Sequence, residues 1–142
     1  MVMQPHHTKD KGDLGVAHAI ADLAEQGFVV LTALSEHAPF DLVGYRNGTF
    51  VRVQVKYRSL SASGTIDVQF KSSWSDSKGS HVRPLDKQHV DVVCVYCPET
   101  QACYYVDPKH HQRSISLRVT PSRNGQARNV LVADAFRAIP EG

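Results

Sequence analysis

Long apolar runs are missing from this 142-residue sequence: its hydrophobic stretches are a handful of residues each, far short of the roughly 20 that cross a bilayer. No basic-then-apolar leader precedes Lys11. The two absences predict a soluble, intracellular protein, cytoplasmic in location. Cysteine is scarce, and the odd set Cys94, Cys97 and Cys103 argues against a disulfide framework and suits a reducing compartment. Cys94 and Cys97, with His110 and His111 further on, resemble a zinc set only superficially. Val90 to Cys97 reads as a strand, where positions three apart point to opposite faces. Buried, free thiols are therefore expected. Excess charge is also small: 16 Lys and Arg stand against 14 Asp and Glu, a net charge of +2, although eight histidines add positive charge at mildly acidic pH. Such a balance selects no partner by itself, because phosphate binding depends on where cations cluster. The suggestive cluster is Arg52, Lys56 and Arg58. Internal repeats and low-complexity tracts are lacking too. What remains is 42% hydrophobic and 21% charged, ordinary for one domain with one core. Residues 1–9, with His6-His7, read as a flexible N-terminal arm, and residues 10–139 as the domain.

The pattern begins with a helix over about Lys11 to Gln26, with Val16, Ala17, Ile20, Leu23 and Ala24 as its apolar stripe and Gly27 ending it. Phe28 to Leu31 is a continuous apolar run that suits a strand buried on both faces. A second strand is expected over Phe40 to Tyr45. Arg46-Asn47-Gly48 supplies the turn of a hairpin into a third, Thr49 to Arg58. That strand alternates: Val51, Val53, Val55 and Tyr57 on one face, Arg52, Gln54, Lys56 and Arg58 on the other. Ile66 to Phe70 is a further strand, Lys71 to Gly79 a polar loop carrying the only Trp, Trp74, and Pro84 to His89 a helical turn. Asp91 to Cys97 and Ala102 to Val106 form a late hairpin about Pro98 to Gln101. A last strand near Ile115 to Val119, a loop at Ser122 to Gly125 and a short helix over Val130 to Arg137 complete the chain. The fold class expected is α/β, or α+β with a mixed sheet.

Phosphodiester hydrolysis can use an acid on one strand and Gln-x-Lys on the next. Asp41, in Pro39-Phe40-Asp41, offers a carboxylate, and Gln54 an amide oxygen, both hard donors of the kind Mg²⁺ takes. Lys56, two residues from Gln54, shares its strand face, where an ammonium can orient water or meet developing phosphate charge. Taken singly, an acid at a strand start and a Lys on a strand face are commonplace. Their coincidence on adjacent strands of one hairpin carries the reading.

Lys11-Gly12-Asp13-Leu14-Gly15, Pro39-Phe40-Asp41-Leu42, Val53-Gln54-Val55-Lys56, the late hairpin and Ser116-Leu117-Arg118-Val119 together resemble the PD-(D/E)XK nuclease superfamily. The similarity is greatest to its Holliday-junction-resolvase-like branch, which includes a group I intron-encoded homing endonuclease, and spans about residues 9 to 137. The resemblance implies a restriction-endonuclease-like α-β-β-β-α-β core with flanking helices and Mg²⁺-dependent DNA cleavage, with Mn²⁺ able to substitute. It makes Asp41 the metal-binding acid, Gln54 the occupant of the (D/E) position and Lys56 the motif lysine. Members often carry a Glu one residue after Gly15; this chain has Val16, so Asp13 would be the substitute metal-site acid. DNA contact would fall to Arg52, Arg58, Lys71, Lys78, Arg83 and Arg123. Two functions follow from the resemblance: a metal-dependent endonuclease on duplex or branched DNA, or a catalytically weakened DNA-binding module of the same fold. Cutting both strands from one centre per chain implies a homodimer or higher homo-oligomer.

Overall fold

The computed structural model describes residues 8–121 and 130–140. Its α-helix α1 (Thr8–Glu25) is followed by β1 (Val29–Thr32), β2 (Leu42–Arg46) and β3 (Thr49–Tyr57). The chain leaves the helix through Gly27 at φ 90, as Gly27 N–H and Phe28 N–H bond back to the carbonyls of Ala24 and Leu23. Asn47 and Gly48, at φ 53 and φ 80, turn β2 tightly into β3. After β3 come β4 (Thr65–Gln69), β5 (Lys71–Asp76), β6 (Gly79–Pro84), β7 (Val92–Cys97), β8 (Ala102–Val106), β9 (Ser114–Arg118) and β10 (Leu131–Val132).

The central sheet has the order β1-β2-β3-β7-β8, a second sheet has the order β10-β9-β4, and β5 and β6 form a separate ribbon. All pairs of the central sheet are antiparallel except β3 with β7. The class is therefore mixed α/β. A parallel pair needs a long crossover, and here it runs through β4 and the β5–β6 ribbon. The crossover helix of an α-β-β-β-α-β order is absent there, and α1 is the one α-helix among the described residues.

The alternation of β3 and its neighbours divides the core in two. Ala19 and Leu23 of α1 pack on Leu42, Val53, Val92, Cys94 and Tyr105 on one side of the central sheet. Val93, Val95, Cys97, Tyr104 and Val106 face the other way, onto Ile66, Val68, Ile115 and Leu117 of the second sheet. Cys94 and Cys97 thus lie in different cores, as a strand requires, and all three cysteines are free and buried. Helix and first core are tied further by Tyr105 Oη donating to Asp22 at 2.5 Å, and by Gln26 Nε2 donating to the same carboxylate at 2.9 Å.

Several expectations change. The helix begins at Thr8, inside the segment read as an arm, and its buried positions are Gly15, Ala19 and Leu23, with Ala17 and Ala24 exposed. The run over Phe28 to Leu31 becomes β1, an edge strand with Val29 and Leu31 exposed; it has only β2 beside it, so continuous apolar character did not mean burial on both faces. The polar segment after Phe70 pairs as the β5–β6 ribbon instead of forming a loop. The terminal helix is replaced by β10 and a 3-10 turn over Ala133–Phe136, because parallel pairing with β9 takes up Leu131 and Val132. The loop at Ser122 to Gly125, with Arg123, and His6-His7 lie outside the described residues, as does the side chain of Trp74. No helix among the described residues is long and apolar enough to cross a membrane.

Candidate active site

Pairing register brings the site together. Leu42 stands opposite Val53, so Asp41, one residue before β2, stands opposite Gln54 and on its face. Asp41 extends the ladder: its N–H donates to Val53 O at 2.9 Å, and its Oδ2 accepts the N–H of Val55 at 2.7 Å. The carboxylate is clamped to the strand that carries the other two motif residues. Its second oxygen, Oδ1, lies outside that clamp.

Asp41 and Gln54 both line a cleft of about 580 Å³, together with Pro39, Phe40, Arg83 and Asp86. Asp41 is exposed overall, yet protein atoms around its carboxyl withdraw enough water to raise its pKa. That desolvation outweighs the Val55 N–H and the nearby Lys56 ammonium, both of which lower it. The Gln54 Oε1 atom is buried.

Lys56 is half-buried, and its Nζ donates to Lys71 O at the start of β5, at 2.8 Å. Burial lowers its pKa to about 8; Arg58 and Lys71 push the same way, and Asp41 opposes them. Gln54 and Lys56 stand opposite Val93 and Val95 of β7, and so project from the side of the sheet that the second sheet covers elsewhere. Over β3 this side opens into the cleft instead, because the second-sheet core takes its central-sheet residues from β7 and β8.

The remaining expected residues separate. Arg52 is held by Asp91: Nη2 to Oδ1 at 2.9 Å, Nε to Oδ2 at 2.9 Å, and its own N–H to Oδ2 at 2.8 Å. The pair raises the Arg52 pKa and lowers that of Asp91. Arg58 donates from Nη1 to Tyr57 O at 2.8 Å, and burial lowers its pKa. Lys71 and Arg83 reach a groove beside the cleft, whereas Lys78 sits in the exposed β5–β6 turn. Asp13 is exposed on α1 and is not among the residues lining the cleft. Val16 packs against the helix-side core.

Sequence reading missed Asp86 and His89, which line the cleft opposite the motif strands. Asp86 Oδ1 accepts the Gln88 N–H at 3.0 Å, and His89 Nε2 lies 3.4 Å from Asp86 Oδ2. Their spacing fits the turn expected over Pro84 to His89. Nothing in the sequence said that the turn faces Asp41.

The family profile described as PD-(D/E)XK endonuclease matches residues 6–139. The chain belongs to this family. Among solved structures, this PD-(D/E)XK endonuclease is similar to a bacterial homing endonuclease, I-Ssp6803I, with TM-score 0.74 and 24% identity over 93% of this chain and 89% of that one. It is also similar to Hjc, a Holliday junction resolvase from the archaeal hyperthermophile Archaeoglobus fulgidus, with TM-score 0.45 and 12% identity over 88% and 94% of the two chains. No curated protein matches. The first likeness shows a restriction-endonuclease-like fold. Nucleases of the PD-(D/E)XK family generally use divalent metal ions.

The donor set can be weighed against such an ion. No group of three or more His, Cys, Asp or Glu among the described residues is placed to hold a metal ion together. One carboxylate and one amide oxygen remain at Asp41 and Gln54. Such a sparse all-oxygen set fits a hard cation that keeps several waters and shares substrate phosphate oxygens, as Mg²⁺ does.

Proposed function

We propose that this PD-(D/E)XK protein is a metal-dependent endonuclease that hydrolyses DNA phosphodiester bonds in duplex or branched DNA. One observation carries the reading: Asp41 and Gln54 line one cleft, and Lys56 shares the face of β3 that opens into it. Asp41 and Gln54 would hold the cation, Mg²⁺ or in its place Mn²⁺. When bound, it polarises the phosphate and lowers the pKa of the attacking water.

The protein's own residues do the rest. Asp41 has one oxygen clamped by Val55 N–H, so that the carboxylate's position is fixed before DNA arrives. Lys56, anchored on Lys71 O, presents its ammonium to the charge that grows on phosphorus oxygens in the transition state. A water oxygen bonds to phosphorus as one ester oxygen departs. The attacking water gives up a proton to solvent and the departing oxygen takes one from solvent, leaving a phosphate monoester on one strand end and a hydroxyl on the other. Arg58, Lys78 and Arg123 extend the proposal as DNA-contact residues, and a homodimer would bring two centres to two strands.

The second reading is a DNA-binding module that has lost catalysis. It is favoured by the single motif carboxylate, since Val16 and Gln54 stand where acids could have been. Supercoiled plasmid and a synthetic four-way junction, incubated with Mg²⁺ or with EDTA, separate the two. Nicking with Mg²⁺ and none with EDTA supports the enzyme; DNA bound but uncut at every metal concentration supports the module.

A further inference from the structure

Next to the cleft runs a groove of about 480 Å³ whose wall includes Lys71, Arg83, Lys87 and Arg113, along with Val82 and Gln112. It joins the cleft through the shared residues Arg83, Pro84 and Leu85. No Asp or Glu lines it. In a chain whose net charge is only +2, four cations along one groove are a local concentration of positive charge that favours an anion.

The groove is also built. Lys87 Nζ donates to the carbonyls of His111 and Gln112, at 2.5 Å and 2.9 Å. An ammonium has three donors, so one remains for a ligand while the other two fix its position. The Lys87 ammonium lies 5.7 Å from the centre of the Phe70 ring, on which His111 stacks at 6.3 Å. Phe70 N–H bonds to Arg113 O at 2.8 Å and Leu85 N–H to Phe70 O at 3.0 Å. The backbone that carries Arg113 is thereby joined to the segment that carries Arg83 and Lys87.

We propose that this groove is a track for the sugar–phosphate backbone of DNA flanking the phosphate in the cleft, with Lys71, Arg83, Lys87 and Arg113 on the neighbouring phosphates. The inference rests on the nuclease reading and adds a footprint to it. Lys87 and Arg113 are outside the motif and outside the basic face of β3. Phosphate contacts fix where the duplex lies without reading its sequence; here they would set the scissile bond against Asp41.

Fluorescence anisotropy with a labelled DNA duplex in EDTA, over a series of salt concentrations, tests the track without requiring cleavage. Lys87→Gln with Arg113→Gln is expected to weaken binding by about tenfold or more at moderate salt. The slope of log affinity against log salt should become shallower by about 2, close to 0.9 per lost phosphate contact. Because Lys87 also ties down two carbonyls, Lys71→Gln with Arg113→Gln is measured beside it, and the same change in slope is expected. Arg137→Gln, which removes a cation lying over the Tyr104 ring outside the groove, should leave the slope unchanged. Wild-type affinity and slope in the Lys71/Arg113 pair overturn the track while leaving the endonuclease standing if plasmid is still nicked. A wild-type protein that binds no DNA overturns both.

Discussion

Arg52 and Lys56 sit on one strand, two periods of the alternation apart and on the same face, yet the fold uses them differently. Arg52 is spent on Asp91, in a two-pronged ion pair reinforced by the Arg52 backbone N–H. Since Asp91 immediately precedes β7, the pair sets the start of the parallel β3–β7 ladder. Among the described residues Lys56 hydrogen-bonds to a backbone carbonyl, that of Lys71, and its pKa falls to about 8 because its surroundings disfavour the charge. A cation neutralised by its own protein steadies structure. One held in place but left without a carboxylate bonded to it is ready for a ligand's charge.

The comparison breaks first at Asp41. Replacing it with Ala should lower cleavage on the order of a hundredfold or more, with DNA affinity in EDTA little changed; full cleavage by the variant would put the centre elsewhere. Lys56→Ala should reduce the cleavage rate on the order of a hundredfold, read by plasmid nicking under saturating DNA. Arg52→Ala should instead strip Asp91 of its guanidinium partner, leaving it only the backbone N–H of residue 52, and lower stability by about 1 kcal/mol, measured by urea unfolding. Its cleavage rate below the transition should remain near wild type. Asp91→Ala should destabilise similarly, and the two losses should not add in the double variant.

The smallest effect is on the pH dependence of stability. Unfolded Lys56 titrates near 10.5 and folded Lys56 near about 8. Between these values the unfolded state holds more protons, so this group's contribution makes wild type gain stability as pH rises through that window. Lys56→Met should lose that gain. Parallel unfolding curves for the two proteins across the window would contradict the burial of the ammonium.

Much of the arrangement was legible because β3 alternates so strictly: the alternation put Gln54 and Lys56 on one face, and the Arg46-Asn47-Gly48 turn put Asp41 on the adjacent strand of the same hairpin, while its place opposite Gln54 came only from the pairing register. The fates of Arg52 and Lys56 were not legible. Which cation finds a carboxylate depends on Asp91, 39 positions away along the chain from Arg52, and strand pattern carries no information about that pairing. The same holds for Asp86 and His89, delivered to the cleft by a crossover built from strands where a helix was expected. Local pattern was misleading at β1, where an apolar run marked an edge, and at β10, where pairing with β9 replaced a helix.

The claim that Lys56 serves chemistry while Arg52 serves structure can be tested most directly by measuring plasmid nicking with Mg²⁺ for Arg52→Ala and Lys56→Ala side by side, at a temperature where both are folded. The account predicts near wild-type nicking for the first and a loss on the order of a hundredfold for the second. Equal losses in both, or nicking retained by Lys56→Ala, would contradict it.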